Sequence, residues 1–123
     1  MRHSMLFALG LGVVVASPIS AFGQEWGAIA YDRGTGRWGD SWHYSSVEQA
    51  NNIAVNNCGT PGCEVVAQIG AGMCGALATA TGNPRGFGWA TRPTRADAEL
   101  VAMETCQGYN AGQCRVQATD CNQ

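Results

Sequence analysis

The chain has 123 residues, with seven basic residues against nine acidic ones and a formal net charge of −2. This balance argues against a nucleic-acid-binding protein, because lysine and arginine supply most of the affinity for phosphate. It also argues against electrostatic attraction to an anionic membrane surface.

Residues 1–23 are predicted to be a signal peptide, with an apolar run over residues 6–16 and small residues before the cleavage site. We expect cleavage between Gly23 and Gln24. The apolar run is shorter than the about 20 residues that a membrane-spanning helix needs. The sequence therefore predicts a secreted or periplasmic protein of residues 24–123 that is free of the membrane after cleavage.

The exported part, residues 24–123, is predicted to be a single domain that contains one unit twice. Copy one covers about residues 26–69 and copy two about residues 74–121. A repeated unit of this size is a supersecondary block that buries its apolar face against its twin. In the alignment of the two copies, Gly27 corresponds to Gly75, Trp42 to Trp89, Ser46 to Thr94, Cys58 to Cys106 and Cys63 to Cys114.

The hydrophobic pattern of copy one predicts two strands, a helix and a third strand. The strands are expected over residues 26–31, 37–43 and 65–69. Ser46 is a predicted N-cap, and Gln49, three residues later, completes the pattern of a capping box.

Copy two repeats this order, with strands predicted over residues 74–80, 85–91 and 114–119 and a helix that begins near Thr94. Alanine dominates the predicted buried stripe of both helices, whereas the large apolar residues lie on strands. We expect an α+β fold in which two ββαβ repeats form a mainly antiparallel sheet, with both helices on one face.

Six cysteines in a small exported chain predict disulfides. Six cysteines allow fifteen connectivities, and the repeat favours pairing the two cysteines that flank the same loop in each copy. A zinc site is the rival interpretation, but the spacings are wider than Cys-x-x-Cys and only His43 lies beyond the signal peptide. We predict no metal site and the bridges Cys58–Cys63, Cys106–Cys114 and Cys74–Cys121.

Several of these features together resemble one known family. They are the opening segment Trp26–Tyr31, an aromatic-rich second strand that ends at Trp42, a helix that begins Ser46-x-x-x-Ala50, and the cysteine pairs. Over residues 26–121 the chain is similar to the small exported bacterial domain known as domain of unknown function 4189. The resemblance implies a bacterial protein outside the cytoplasm and carries no established activity, cofactor or catalytic residue.

No group of residues satisfies the requirements for catalysis. The tripeptide at 39–41 is typical of one serine esterase family, but its serine needs a base within hydrogen-bond reach. The only candidate base is His43, and Asp40 is expected on the opposite strand face. Asp97 and Glu99 lie two positions apart on a helix, where side chains do not face each other. We therefore assign no catalytic residue.

The aromatic residues of the strands are the one feature with binding character. Trp38 and Trp42 share a strand face, and on an open face they would form a binding platform. A face turned towards the helices would make them core, which is the interpretation that the small helix stripes favour. Trp38 has an arginine in its place in copy two, so it is expected to be the most exposed aromatic. The candidate binding residues are Trp38, Trp42, Trp89 and Arg37.

These observations predict an exported binding or interaction module without enzymatic activity or a cofactor. Its expected partner is another exported protein or a cell-wall glycan, and an inhibitor-like or envelope-associated role suits a small disulfide-rich domain. The alternative is a hydrolase that acts on a cell-wall or extracellular polymer, with His43 and a carboxylate as the acid–base pair.

Overall fold

The computed structural model describes residues 25–81, 86–109 and 112–123. The predicted signal peptide and its cleavage site lie outside the described residues. Each half of the described chain contains a strand, a second strand, a helix and a third strand. The elements are β1 (Trp26–Tyr31), β2 (Trp38–Tyr44), α1 (Val47–Cys58), β3 (Glu64–Ile69), β4 (Cys74–Ala80), β5 (Phe87–Arg92), α2 (Arg95–Gln107) and β6 (Cys114–Cys121).

The predicted pair of ββαβ repeats in an α+β fold is confirmed. Within that class, the strands of the described residues form two antiparallel sheets of three strands each, rather than one sheet. Their orders are β2-β1-β3 and β5-β4-β6. The first strand of each copy is thus the central strand of its own sheet, and the two copies have the same topology.

The two sheets pack face to face, and each helix covers the outer face of its own sheet. Side chains alternate between the two faces of a strand. In β1, Ala28 and Ala30 pack against α1, whereas Ile29 and Tyr31 pack between the sheets. Strand β4 alternates in the same way, with Leu77 between the sheets. The helices therefore lie on opposite outer faces and not on one, because each sheet buries its larger side chains against the other sheet.

Each helix lies against its sheet at a glycine. A Cβ on Gly39 of β2 would lie 2.2 Å from the backbone nitrogen of Cys58, and one on Gly88 of β5 would lie 2.2 Å from the carbonyl oxygen of Ala102. Only a residue without a side chain permits this approach of the two backbones. The helix positions that complete the contact are the fully buried Ala50, Ala54, Ala98 and Ala102.

Both helices begin at the residues that the sequence indicates. The hydroxyl of Ser46 accepts a hydrogen bond from the backbone N–H of Gln49, and that of Thr94 accepts one from the N–H of Asp97. The predicted capping box is only half formed, because the Gln49 side chain accepts a hydrogen bond from Ser45 instead of reaching back to the cap.

All three predicted disulfides are present, and all six cysteines are paired. Cys58–Cys63 and Cys106–Cys114 each join the end of a helix to the start of the next strand, and Cys74–Cys121 joins β4 to β6. The chain-entropy model gives about 2–4 kcal/mol for each. Such bridges are consistent with a location outside the cytoplasm. Within the described residues, no helix combines the length and hydrophobicity needed to cross a membrane.

Replacing Gly39 by alanine should destabilise the protein by about 1–3 kcal/mol or more, because the new Cβ would overlap helix backbone that has no room to move. The effect is measured as the free energy of unfolding in urea. Gly70→Ala is the matched control, since its Cβ would lie 3.7 Å from the nearest atom, on Trp26. Equal stabilities of the two variants would contradict the close helix–sheet contact.

Candidate functional site

Strand β2 departs from the internal repeat at a β-bulge. Two of its residues, Trp42 and His43, lie opposite the single residue Gly27 of β1, whereas the corresponding pairing of β4 with β5 is regular. His43 has a φ of 61°, the one positive φ of a non-glycine residue in the part of the chain that the structure describes. Such a backbone conformation is uncommon outside glycine and is found more often for histidine than for most residues.

The bulge changes which residues of the two copies correspond. Ile29 of β1 pairs with Asp40, and Leu77, which occupies the same place in copy two, pairs with Trp89. The structural counterpart of Trp89 is therefore Asp40. The alignment of Trp42 with Trp89 is wrong, because it ignores the residue that copy one inserts.

The inserted residue also changes the sheet face to which each side chain at the end of β2 points. A shift of one residue exchanges the two faces of a strand. Beyond the bulge, Tyr44 packs with Trp26 against the α1 cluster. Trp42 turns out of the sheet, and half of its surface (50%) is exposed. Bulges are known to re-aim side chains in this way.

The side chain of Asn122 holds the bulge in place. Its Oδ1 accepts a hydrogen bond of 2.9 Å from the backbone N–H of His43, and its Nδ2 donates one of 2.7 Å to the carbonyl of Ile69. Asn122 is only 3% exposed. The end of copy two therefore bridges two strands of copy one and compensates the strained backbone of His43.

A pair of carboxyl groups lies between β2 and β6. Asp120 of β6 is 8% exposed, and no hydrogen-bond donor among the described residues reaches its Oδ2. Burial, followed by the hydrogen bond with Asp40 and the negative charge of Asp40, raises the pKa of Asp120 to about 8, against the opposing charge of Arg95. With this raised pKa the pair keeps a proton at neutral pH, since the buried Oδ2 of Asp120 has no donor among the described residues that would favour its ionised form.

Asp32 shows the opposite behaviour in the same protein. Its carboxylate accepts hydrogen bonds from the Thr60 hydroxyl and from the backbone N–H groups of Gly34 and Thr35. These donors, Thr60 above all, lower the pKa of Asp32. Burial is the main cause of the raised pKa of Asp120, and Asp32 shows that hydrogen-bond donors can outweigh burial in the same protein.

Two open cavities meet at Trp42, which lines both. The first, of about 120 Å³, also contacts Asp40, and the second, of about 270 Å³, also contacts Asp120. The carboxyl pair therefore connects the two cavities beside the exposed indole. The surface formed here is the β2–β6 groove, which consists of Asp40, Trp42, His43, Arg95, Thr119 and Asp120.

Charged side chains at the rim of the β2–β6 groove are engaged with one another. Nδ1 of His43 contacts a carboxylate oxygen of Glu25. A guanidinium nitrogen of Arg95 lies 3.8 Å from Glu99, and the hydroxyl of Thr119 donates a hydrogen bond of 2.8 Å to the same carboxylate. In the described ranges, no group of three or more His, Cys, Asp or Glu residues is arranged to hold a metal ion.

The structure does not bring the predicted binding residues together. The prediction that Trp38 is the most exposed aromatic is wrong: Trp38 is half-buried, because the second sheet covers the strand face turned away from the helices. Trp42 and Trp89 (44% exposed) lie at opposite edges of the stacked sheets. Arg37 lies at the end of α1, where its side chain donates a hydrogen bond to the carbonyl of Cys58.

Ser41, the serine of the esterase-like tripeptide, has a structural role. Its hydroxyl accepts a hydrogen bond from the N–H of Ala28 and donates one to the carbonyl of Ala50. Ser41 is 2% exposed, so its oxygen joins β1 to α1 and does not face a substrate.

Three residues at this site, Thr119, Asp120 and Asn122, were not identified as candidates from the sequence. One signal was available for Asp120, since strand alternation places it on the same face of β6 as the core residue Ala118. An acidic residue at an inward position needs a polar partner. That partner lies in the other copy, and no local sequence pattern identifies it as Asp40.

Comparison with known proteins gives a family and a fold without an activity. A family model described as "Domain of unknown function (DUF4189)" matches residues 26–121. The chain is 41% identical over 83 residues to Protein Rv1269c of Mycobacterium tuberculosis and to Protein Mb1300c of Mycobacterium bovis, a match that covers 68% of this chain and 62% of each relative. The match thus spans less than two thirds of these curated relatives.

A solved structure supports the fold. The NMR structure of Rv1813c from Mycobacterium tuberculosis superposes with a TM-score of 0.56 at 29% sequence identity, over 80% of this chain and 75% of that one. The ββαβ repeats therefore belong to an architecture that a related sequence adopts in solution.

Asp120→Asn should change how stability depends on pH. Between about pH 4 and pH 8 the native protein keeps a proton that the unfolded chain has lost, so this group lowers stability as pH rises, by at most about 1.4 kcal/mol per unit. The variant should match the wild type at pH 3 and exceed it at pH 8. Thermal unfolding across this range measures the difference. Asp97→Asn, an exposed acid, is the control, and identical pH profiles for wild type and Asp120→Asn would contradict the shared proton.

Proposed function

We propose that this chain, which belongs to the family described as domain of unknown function (DUF4189), is an exported binding module whose binding surface is the β2–β6 groove. The observation that carries the proposal is the bulge at Trp42 and His43. Copy two has the same fold with a regular strand at this place. Packing of the repeat therefore does not require the bulge, and strained backbone that packing does not require is a reason to infer function.

The architecture leaves few other surfaces for binding. The helices cover both outer sheet faces, and the two inner faces bury each other. In the part of the chain that the structure describes, the sheets themselves are therefore open only at their edges. Of these, the edge at β2 and β6 combines an exposed indole with buried polar groups, which is the usual composition of a ligand site.

Trp42 is the expected main contact. An exposed tryptophan offers a large rigid apolar surface at low entropic cost, and tryptophans dominate the binding energy of many interfaces. Its indole could cover a sugar ring or a side chain of a partner. The proposed partners are therefore another exported protein or a cell-wall glycan, in an inhibitor-like or envelope-associated role.

A hydrolase that acts on a cell-wall or extracellular polymer is the second candidate. The contact of His43 with Glu25, on the wall of the cavity that Asp120 also lines, favours it, because a positioned histidine can transfer protons. The carboxyl pair itself does not suit a glycosidase, whose two carboxyls are about 5–10 Å apart and not hydrogen bonded to each other. Loss of polymer hydrolysis in a folded His43→Ala variant would favour the hydrolase.

Trp42→Ala should weaken binding at least about tenfold, since it removes the largest exposed contact of the groove. Wild type and variant are compared for co-sedimentation with purified peptidoglycan and for crosslinking to exported proteins of the culture medium. Trp89→Ala removes a similarly exposed indole from the opposite edge and should bind like the wild type. Equal losses in both variants, or no loss in Trp42→Ala, would contradict the proposed surface.

A further inference from the structure

The Asp40–Asp120 pair has no cation of its own. The ion pairs at this edge, which join His43 to Glu25 and Arg95 to Glu99, include neither member of the carboxyl pair. Buried charges in proteins are normally paired, and an acid without a partner keeps its proton instead. The shared proton therefore neutralises the carboxyl pair in place of a positively charged group.

The charged groups around Asp120 come from two elements. Asp40 and His43 face it from β2, and Arg95 and Glu99 lie on α2. Arg95 is the only permanent cation among them, and more than half of its side chain is exposed at 3.8 Å from Glu99. With both members of the pair ionised, the β2–β6 groove would thus carry an excess of negative charge.

The indole of Trp42 is a second group in the groove that favours binding of a cation. Its exposed indole lines the cavity that Asp120 also lines. The face of an indole attracts ammonium and guanidinium groups. An aromatic face beside a carboxyl pair suits a positively charged side chain better than a neutral sugar, which would supply hydrogen-bond donors but no charge.

We propose that the β2–β6 groove binds a lysine or arginine side chain of an exported partner protein, at the exposed indole of Trp42 and the buried, unpartnered Oδ2 of Asp120. The bound cation replaces the proton that the Asp40–Asp120 pair holds. The inference rests on the proposed function, since it names what the same groove recognises. The exchange is balanced: one carboxyl O–H bond breaks, the proton passes to solvent, and the incoming cation compensates the charge left on the pair. No other bond is formed or broken.

The exchange makes the affinity depend on pH in a defined direction. Below about pH 8 the cation must displace a proton, so affinity should rise by up to about tenfold per pH unit and level off above that value. The lysine ligand does not limit this range, because its own pKa is near 10.4.

The test is an NMR titration of the ¹⁵N-labelled protein at pH 6, 7 and 8. The probes are acetyl-Gly-Lys-Gly-amide, its arginine analogue, and two uncharged controls that contain Nε-acetyllysine or citrulline. We expect the charged peptides alone to shift the Trp42 indole and the backbone amides of residues 119–121. Their dissociation constant should fall about tenfold per unit from pH 6 to pH 8.

Two variants distinguish binding in the β2–β6 groove from a general effect of the protein's net charge. Asp120→Asn removes the exchangeable proton and one negative charge, and it should weaken binding at pH 8 and abolish the pH dependence. Glu104→Gln removes the same charge from an exposed position on α2, and it should bind like the wild type. Equal effects of the two variants would overturn the proposal.

Other results would overturn it as well. Equal binding of charged and uncharged peptides, affinity independent of pH, or no shift in the groove at pH 8 would exclude a cation site. Tighter binding of uncharged N-acetylglucosamine oligomers than of the lysine peptide would indicate a glycan. If the peptides fail while Trp42-dependent retention persists, the proposed function stands and this inference alone fails.

Discussion

The contact of each helix backbone with a glycine of its own sheet is the constraint on which the rest of the structure depends. Gly39 and Gly88 let α1 and α2 lie directly on β2 and β5, and alanines complete the contact. A helix this close leaves no room for large side chains beneath it. Ile29, Tyr31 and Leu77 point to the other face of each sheet, where the two sheets bury them together. On the helix side, Trp26 and Tyr44 are only partly buried against α1. With both faces of each sheet covered, the strand edges are the parts of the sheets that stay open among the described residues.

Both copies have this helix–sheet contact, so the features in which they differ are the ones that indicate function. Copy one inserts a residue at Trp42–His43, and Asn122 from the end of copy two stabilises the insertion. The same edge holds Asp40 against Asp120, which are contributed by different copies. A site at the junction of the repeats needs both copies, because copy one lacks Asp120 and Asn122 and copy two lacks Asp40.

Local rules were sufficient to predict much of the fold from the sequence. Helical periodicity and the hydroxyl caps Ser46 and Thr94 located both helices, and the repeat selected one of the possible cysteine pairings. The division into two sheets was not predictable in the same way, since strands with large residues on one face fit a single sheet as well as two. The bulge was not predictable because a one-residue insertion in β2 produces no distinctive sequence pattern. The carboxyl pair depends on a contact between residues 80 positions apart in the chain, which no local pattern contains.

The proposed binding site depends most directly on the protonation of the carboxyl pair in the folded protein without ligand. This is measured by following the side-chain ¹³C carboxyl resonances of the aspartates as a function of pH. The Asp120 resonance should titrate with a midpoint near pH 8, and Asp40→Asn should move that midpoint towards acidic values by removing the neighbouring negative charge. A midpoint for Asp120 near the ordinary value of an aspartate, about 4, would contradict the shared proton and the binding site built around it.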